Sequence, residues 1–209
     1  MSILRTDRRF RRFLWVRALT CTIWLFSVSM MSTYAFRQFG IAKADIALWF
    51  TAAFYVAQAL GAPFGGALGD RIGHKLVHCI SLAIFCGAYL LAFSLPWWPQ
   101  GARFWGFVLI LALQGVAGGW YFLSQFNLVF EFADDHRRSS YIALTGLVIG
   151  VVLLACGAAG GWICQMLGFG RALLLTFGTV LVAAVLALRY MPDPRREVHP
   201  PTLLPGDRS

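Results

Sequence analysis

Six stretches of mostly apolar residues, each about twenty long, set what this chain can become; they lie near 13–36, 46–69, 74–95, 103–130, 140–164 and 171–190. A helix of that length crosses roughly 30 Å of hydrocarbon. In that solvent no water can satisfy a backbone N–H or C=O, so an isolated stretch of this kind crosses as a helix. The loops between the blocks are short and leave no room for a second soluble domain. Of 209 residues, 59% are hydrophobic and 13% charged, too few charges to cover a water-soluble surface. The expectation is an all-α membrane protein with six transmembrane helices over 13–190. A basic segment, 1–12, precedes them, and a Pro-rich tail, 191–209, follows. The first block is too long, and too polar in its second half, for a cleaved signal peptide, and it reads as a permanent span.

The distribution of charge orients the bundle. Arg5, Arg8, Arg9, Arg11 and Arg12 precede the first block. Arg71 and Lys75 lie between the second and third, Arg137 and Arg138 between the fourth and fifth, and Arg195 and Arg196 after the sixth. The opposite loops hold Arg37, Lys43, Arg103 and Arg171. This positive-inside pattern places both termini in the cytoplasm, as an even number of spans also requires. The net charge of +9 is thereby assigned to an anionic membrane surface, and no nucleic-acid partner is expected. Trp97, Trp98 and Trp105 mark the outer interface and Trp15 the inner one. The five cysteines fall within spans and read as small packing residues, not as a disulfide framework. His74 and His78, four apart with no third ligand beside them, read as interfacial residues, and no metal is expected.

Between the second and third spans runs Gly66-Ala67-Leu68-Gly69-Asp70-Arg71-Ile72-Gly73-His74-Lys75. The glycines suit a helix end that approaches a neighbour and a tight reversal at Gly73. Asp70 suits a helix N-terminus or a cation. The segment resembles the cytoplasmic signature loop of the major facilitator superfamily, with Gly66, Gly69, Asp70, Arg71, Gly73 and Lys75 at its characteristic positions. His74 departs from it, standing where Arg or Lys is usual and making one charge conditional on pH. Residues 8–19 and 131–144 resemble the start of the C-terminal half, and the loop before the eleventh helix, of twelve-helix members.

The resemblance implies a six-helix half-bundle. Its first and fourth helices would line a substrate cavity, its second and fifth would meet another half, and its third and sixth would face lipid. Gln114, Gly118, Tyr121 and Gln125 share one face of the fourth helix, and Thr20, Trp24, Ser27, Met31 and Tyr34 one face of the first. Polar stripes in hydrocarbon need water or protein beside them. Trp24, Ser27, Tyr34, Gln114, Tyr121 and Gln125 are therefore candidate cavity-lining residues, with hydrogen bonding between packed helices as the alternative. Gly61 and Gly65 on the second helix, and Gly146, Gly150, Gly157 and Gly161 on the fifth, form small-residue faces suited to inter-half contact or to packing within the half. The third and sixth helices are almost uniformly apolar and suit lipid.

No acidic residue lies deep in a span, so this half supplies no carboxylate for proton coupling. There is no nucleophile–base set and no phosphate-binding loop; the chain reads as a non-enzyme that needs no cofactor. The expected function is transport of a small neutral or amphipathic solute by alternating access. The chain would act as a half-size protein with a second six-helix half, identical or separately encoded, beside membrane lipids and a small-molecule substrate. The alternative is a non-transporting subunit that stabilises a larger membrane complex. The expected location is the plasma membrane, a bacterial inner membrane in particular.

Overall fold

A computed structural model of the chain describes residues 7–26, 28–132 and 138–191, and all of their regular structure is helical. The chain runs through α1 (Arg8–Thr20), a 3-10 segment (Cys21–Phe26) and α2 (Val28–Phe39). A short turn (Lys43–Asp45) and a π-helical turn (Ile46–Phe50) lead into α3 (Thr51–Ile72). Then follow α4 (His74–Ser94), α5 (Gln100–Phe132), α6 (Arg138–Leu167) and α7 (Phe169–Tyr190). Five stretches are continuous helices long and apolar enough to cross a membrane: Lys43–Ile72, His74–Trp97, Gln100–Glu131, Arg138–Leu167 and Phe169–Tyr190.

The first apolar block is the exception. Read as one span over 13–36, it is instead α1 and α2 joined by the 3-10 segment. The Thr20 hydroxyl donates to the Arg17 carbonyl at 2.8 Å, and the Thr22 hydroxyl donates to the Leu19 carbonyl at 2.8 Å. Side-chain donors thus compete for carbonyls just where the pitch tightens. One carbonyl of the tightened segment, that of Ile23, accepts a hydrogen bond from the Tyr89 hydroxyl of α4. A neighbouring helix thereby satisfies the irregular backbone, the condition for keeping it at membrane depth.

Single glycines make two of the joints. Gly73 separates α3 from α4 at φ 96°, and Gly168 separates α6 from α7 at φ 78°. Each ends its helix by donating its N–H four residues back, Gly73 to Gly69 at 2.9 Å and Gly168 to Cys164 at 3.1 Å. At the other end of the bundle's first helix, Asp7 accepts the Phe10 N–H at 2.9 Å, capping α1, and the Tyr141 hydroxyl of α6 at 2.9 Å.

Helices α4 and α5 form the centre. α5 lies against α3 on one side and α4 on the other, and α7 packs on α4 and on the first span. In their most apolar windows 56% of residues are buried in both α4 and α5, against 17% in α3 and in α6. The expectation that the third helix mainly faces lipid is therefore corrected. α4 presents only one outward stripe, through Leu76, Ile80 and Leu90, because α5 and α7 cover the rest. α7 keeps a wider outward face through Leu174, Leu181, Val185 and Leu188.

Candidate functional site

The signature loop folds around its one departure. His74, the first residue of α4, is buried, and its imidazole lies where a side chain on Gly69 would project. Its Nδ1 is 3.4 Å from the Asn127 amide nitrogen on α5, and its Nε2 is 3.9 Å from Asp70 Oδ1. The N-terminus of α4 has no side-chain cap, and Asp70 lies beside the His74 imidazole instead. Gly66 lies under Leu123 of α5, where an added Cβ would come within 3.0 Å. Arg71 is exposed and Lys75 half-buried.

Among the residues expected to line a cavity, those described turn inward. Gln114, Tyr121 and Gln125 are buried within the chain, as is Tyr34. Tyr34 sits among the rings of Phe39, Phe107 and Phe169 at 5.2–5.7 Å between centroids. Trp24 is half-buried, its ring 5.5 Å from Phe122 and 6.3 Å from Phe85. Ser27 lies outside the described residues. Four of these five are thus packed within the chain and Trp24 partly so. Tyr121 and Thr20 hydroxyls meet at 2.9 Å, and since Thr20 donates to the Arg17 carbonyl, Tyr121 is the donor between them.

Beside this pair lies a cationic residue that the sequence reading did not place inside. Arg17 is 6% exposed, His78 fully buried. The His78 ring stacks 4.9 Å from Tyr121, and its Nδ1 is 3.4 Å from the Ser124 hydroxyl. Ser124 gives its own proton to the Tyr121 carbonyl at 3.0 Å, so His78 donates from Nδ1 and keeps a lone pair on Nε2. That Nε2 and the Nε of Arg17 have no hydrogen-bond partner, and neither do the amide nitrogens of Gln114 and Gln125. Among the described residues no Asp or Glu is buried, so the interior charge is positive. The available signal was periodic: Phe10, Phe13, Arg17 and Thr20 share the buried face of α1.

The two glycine faces diverge. Gly61 and Gly65 meet α5 of the same chain, not an outside partner. The Trp120 indole N–H donates to the Gly61 carbonyl at 2.8 Å and its ring covers Gly65. α5 answers with Gly115 against the Phe54 carbonyl and with Gly119, where a Cβ would lie 2.9 Å from the Gln58 carbonyl. Of the two readings of Gly61 and Gly65, these contacts are those of packing within the half. On α6, a Cβ at Gly146, Gly150 or Gly157 would meet open space, and one at Gly161 would touch only Met30, at 3.5 Å.

What remains open are the faces of α3 and α6, and an aromatic strip between them. Phe122, Phe126 and Phe130 recur every fourth residue on α5, all exposed, with Trp24 against Phe122. Among the described residues no group of three or more His, Cys, Asp or Glu is placed to hold a metal.

Comparison with known proteins follows the same lines. The quinolone resistance protein NorA of Staphylococcus aureus is 23% identical over 130 residues, which cover 62% of this chain and 32% of that protein. The MFS-type transporter SLC18B1 of Rattus norvegicus is 25% identical over 171 residues, 77% of this chain and 37% of that protein. The chain thus spans about a third of the length of these curated relatives. The sequence profile of the Major Facilitator Superfamily matches residues 13–208, nearly everything from the first apolar block onward. With that match, a signature loop in its expected place and a helical bundle around it, the chain belongs to the major facilitator superfamily.

Proposed function

We propose that this six-helix bundle is one half of a transporter that moves a small neutral or amphipathic solute by alternating access, paired with a second six-helix half. The observation that carries this reading is the contrast in burial between α3 and α6, 17% each, and the central α4 and α5 at 56%. Two apolar helices left uncovered need either lipid or protein beside them, and the open glycines of α6 suit the close approach of another helix. The solute-facing surface is then the strip of Trp24, Phe122, Phe126 and Phe130, whose rings suit an apolar or amphipathic body. A relative named for quinolone resistance supports a drug-like solute. The buried pairing of Tyr121 with Thr20 serves to hold α1 on α5 in this conformation.

The test is uptake of an amphipathic fluorescent dye into proteoliposomes, beside native mass spectrometry of protein extracted gently from its own membrane. Phe122→Ala and Phe126→Ala should lower uptake while the folded yield is unchanged. A mass of two copies, or of one copy with another six-helix half, is expected. A single copy within a large unrelated assembly, with no dye uptake, would instead establish the non-transporting subunit.

A further inference from the structure

A cation taken out of water needs a negative charge beside it, or its lost hydration goes uncompensated. Arg17 has none: among the described residues no Asp or Glu is buried, and its Nε has no hydrogen-bond partner. Two neighbours are left incomplete in the same way. α1 and α5 run antiparallel and are tied at Thr20 and Tyr121. Arg17 lies one turn from Thr20 and Gln125 one turn from Tyr121, both toward the end of the bundle that carries the signature loop, so the two share a level. α4 brings His78 to that level, its ring 4.9 Å from Tyr121 and its Nδ1 3.4 Å from the Ser124 hydroxyl. The Arg17 guanidinium is within electrostatic reach of His78 and of Tyr121. Arg17, His78 and Gln125 are 6%, 0% and 1% exposed, and each keeps one buried nitrogen without a partner.

The geometry points to a binding site for a small monovalent hydroxy acid anion among these three side chains. Their unsatisfied nitrogens specify its chemistry. Arg17 Nε and the Gln125 amide offer N–H groups to a carboxylate, and the guanidinium supplies the single positive charge that a monoanion answers. His78 Nε2 holds a lone pair, because Nδ1 is the donor toward Ser124, and so calls for a donor in the ligand. A halide or a plain carboxylate has no such donor; a hydroxyl supplies one. Water alone would satisfy the nitrogens and leave the guanidinium charge unanswered. The burial of all three residues restricts the ligand to a few heavy atoms. This cluster is buried where the aromatic strip is exposed, and the inference stands whether or not the chain transports.

The test is the unfolding midpoint of the full chain in detergent, titrated at neutral pH and constant ionic strength with glycolate, acetate or chloride. Glycolate carries both groups, acetate only the carboxylate, and chloride neither. Glycolate should raise the midpoint in a saturable way. Acetate should bind about tenfold more weakly, since it leaves the buried His78 Nε2 unpaired. His78→Phe, which keeps a ring against Tyr121, should bring glycolate and acetate level, and Arg17→Gln should abolish the response to both. The comparison of the three anions on the wild-type protein needs no variant to fold. Glycolate and acetate binding the wild type equally would remove the hydroxyl contact and overturn the proposal. Chloride acting as strongly as glycolate would mean a general effect of anions, and no response to any of the three would mean a cluster closed to ligands. A glycolate response that survives Arg17→Gln would place its binding elsewhere; each of these also overturns the proposal.

Discussion

Gly69 and His74 fit each other as a notch and a peg, and each is intelligible only with its partner. An alanine at 69 would drive its methyl into the imidazole, which is held on its far side by Asn127. Gly69→Ala is expected to destabilise the protein by about 1–3 kcal/mol. In a double-mutant cycle most of that cost should vanish in the His74→Ala background, read as the thermal unfolding midpoint. Asp70, largely exposed beside the same imidazole, offers a charge and little packing. Asp70→Asn is expected to lower dye uptake, by up to about fivefold as for an exposed charge pair, with little change in folded protein. Uptake at the wild-type rate would remove Asp70 from the transport cycle. The sequence marks Gly69 as a place of close approach, because no other residue type brings backbone so near. It does not say what approaches, and the answer, a side chain of the same loop, depends on where α5 places Asn127.

At the scale of helices, the crossing of α3 with α5 and the outer face of α6 are built from the same residue and behave oppositely. Gly115 lies against the Phe54 carbonyl, which belongs to a helix backbone and cannot rotate away. Gly150 faces open space. Gly115→Ala should cost about 3 kcal/mol or more. Gly150→Ala should be neutral or stabilising by up to about 1 kcal/mol, because alanine is the better helix former. Equal unfolding midpoints for the two variants would overturn this picture of the packing. A stripe of glycines is legible in a sequence as a surface meant for another helix, but which helix is decided by the angle at which the elements meet. Gly61 and Gly65 were already taken by Trp120 of this chain. The break in the first span was illegible for another reason. The tightened turn leaves the apolar pattern untouched, and the threonine hydroxyls that bond backward beside it do so in unbroken helices as well.

For the molecule as a whole, the spans were legible because the bilayer fixes their length, and the blocks at 46–69, 74–95, 103–130, 140–164 and 171–190 each fall within one continuous helical stretch. Their depth in the bundle was not. A helix surrounded by protein and one surrounded by lipid are both apolar throughout, so α4 read as peripheral and sits at the centre. The site was legible where geometry constrains residue type, at the glycines of the signature loop, and illegible where burial alone matters, at Arg17. If the outer face of α6 receives a second half, Gly146→Leu together with Gly150→Leu should abolish the two-half mass while leaving the unfolding free energy of the single bundle within about 0.5 kcal/mol of wild type. The joints at Gly73 and Gly168 carry a mechanical consequence. Each connects two spans by one residue, and the two lie at opposite membrane faces. Neither leaves chain to spare between the helices it joins, α3 to α4 and α6 to α7. The bundle is in that sense jointed at both ends, with one short joint at each.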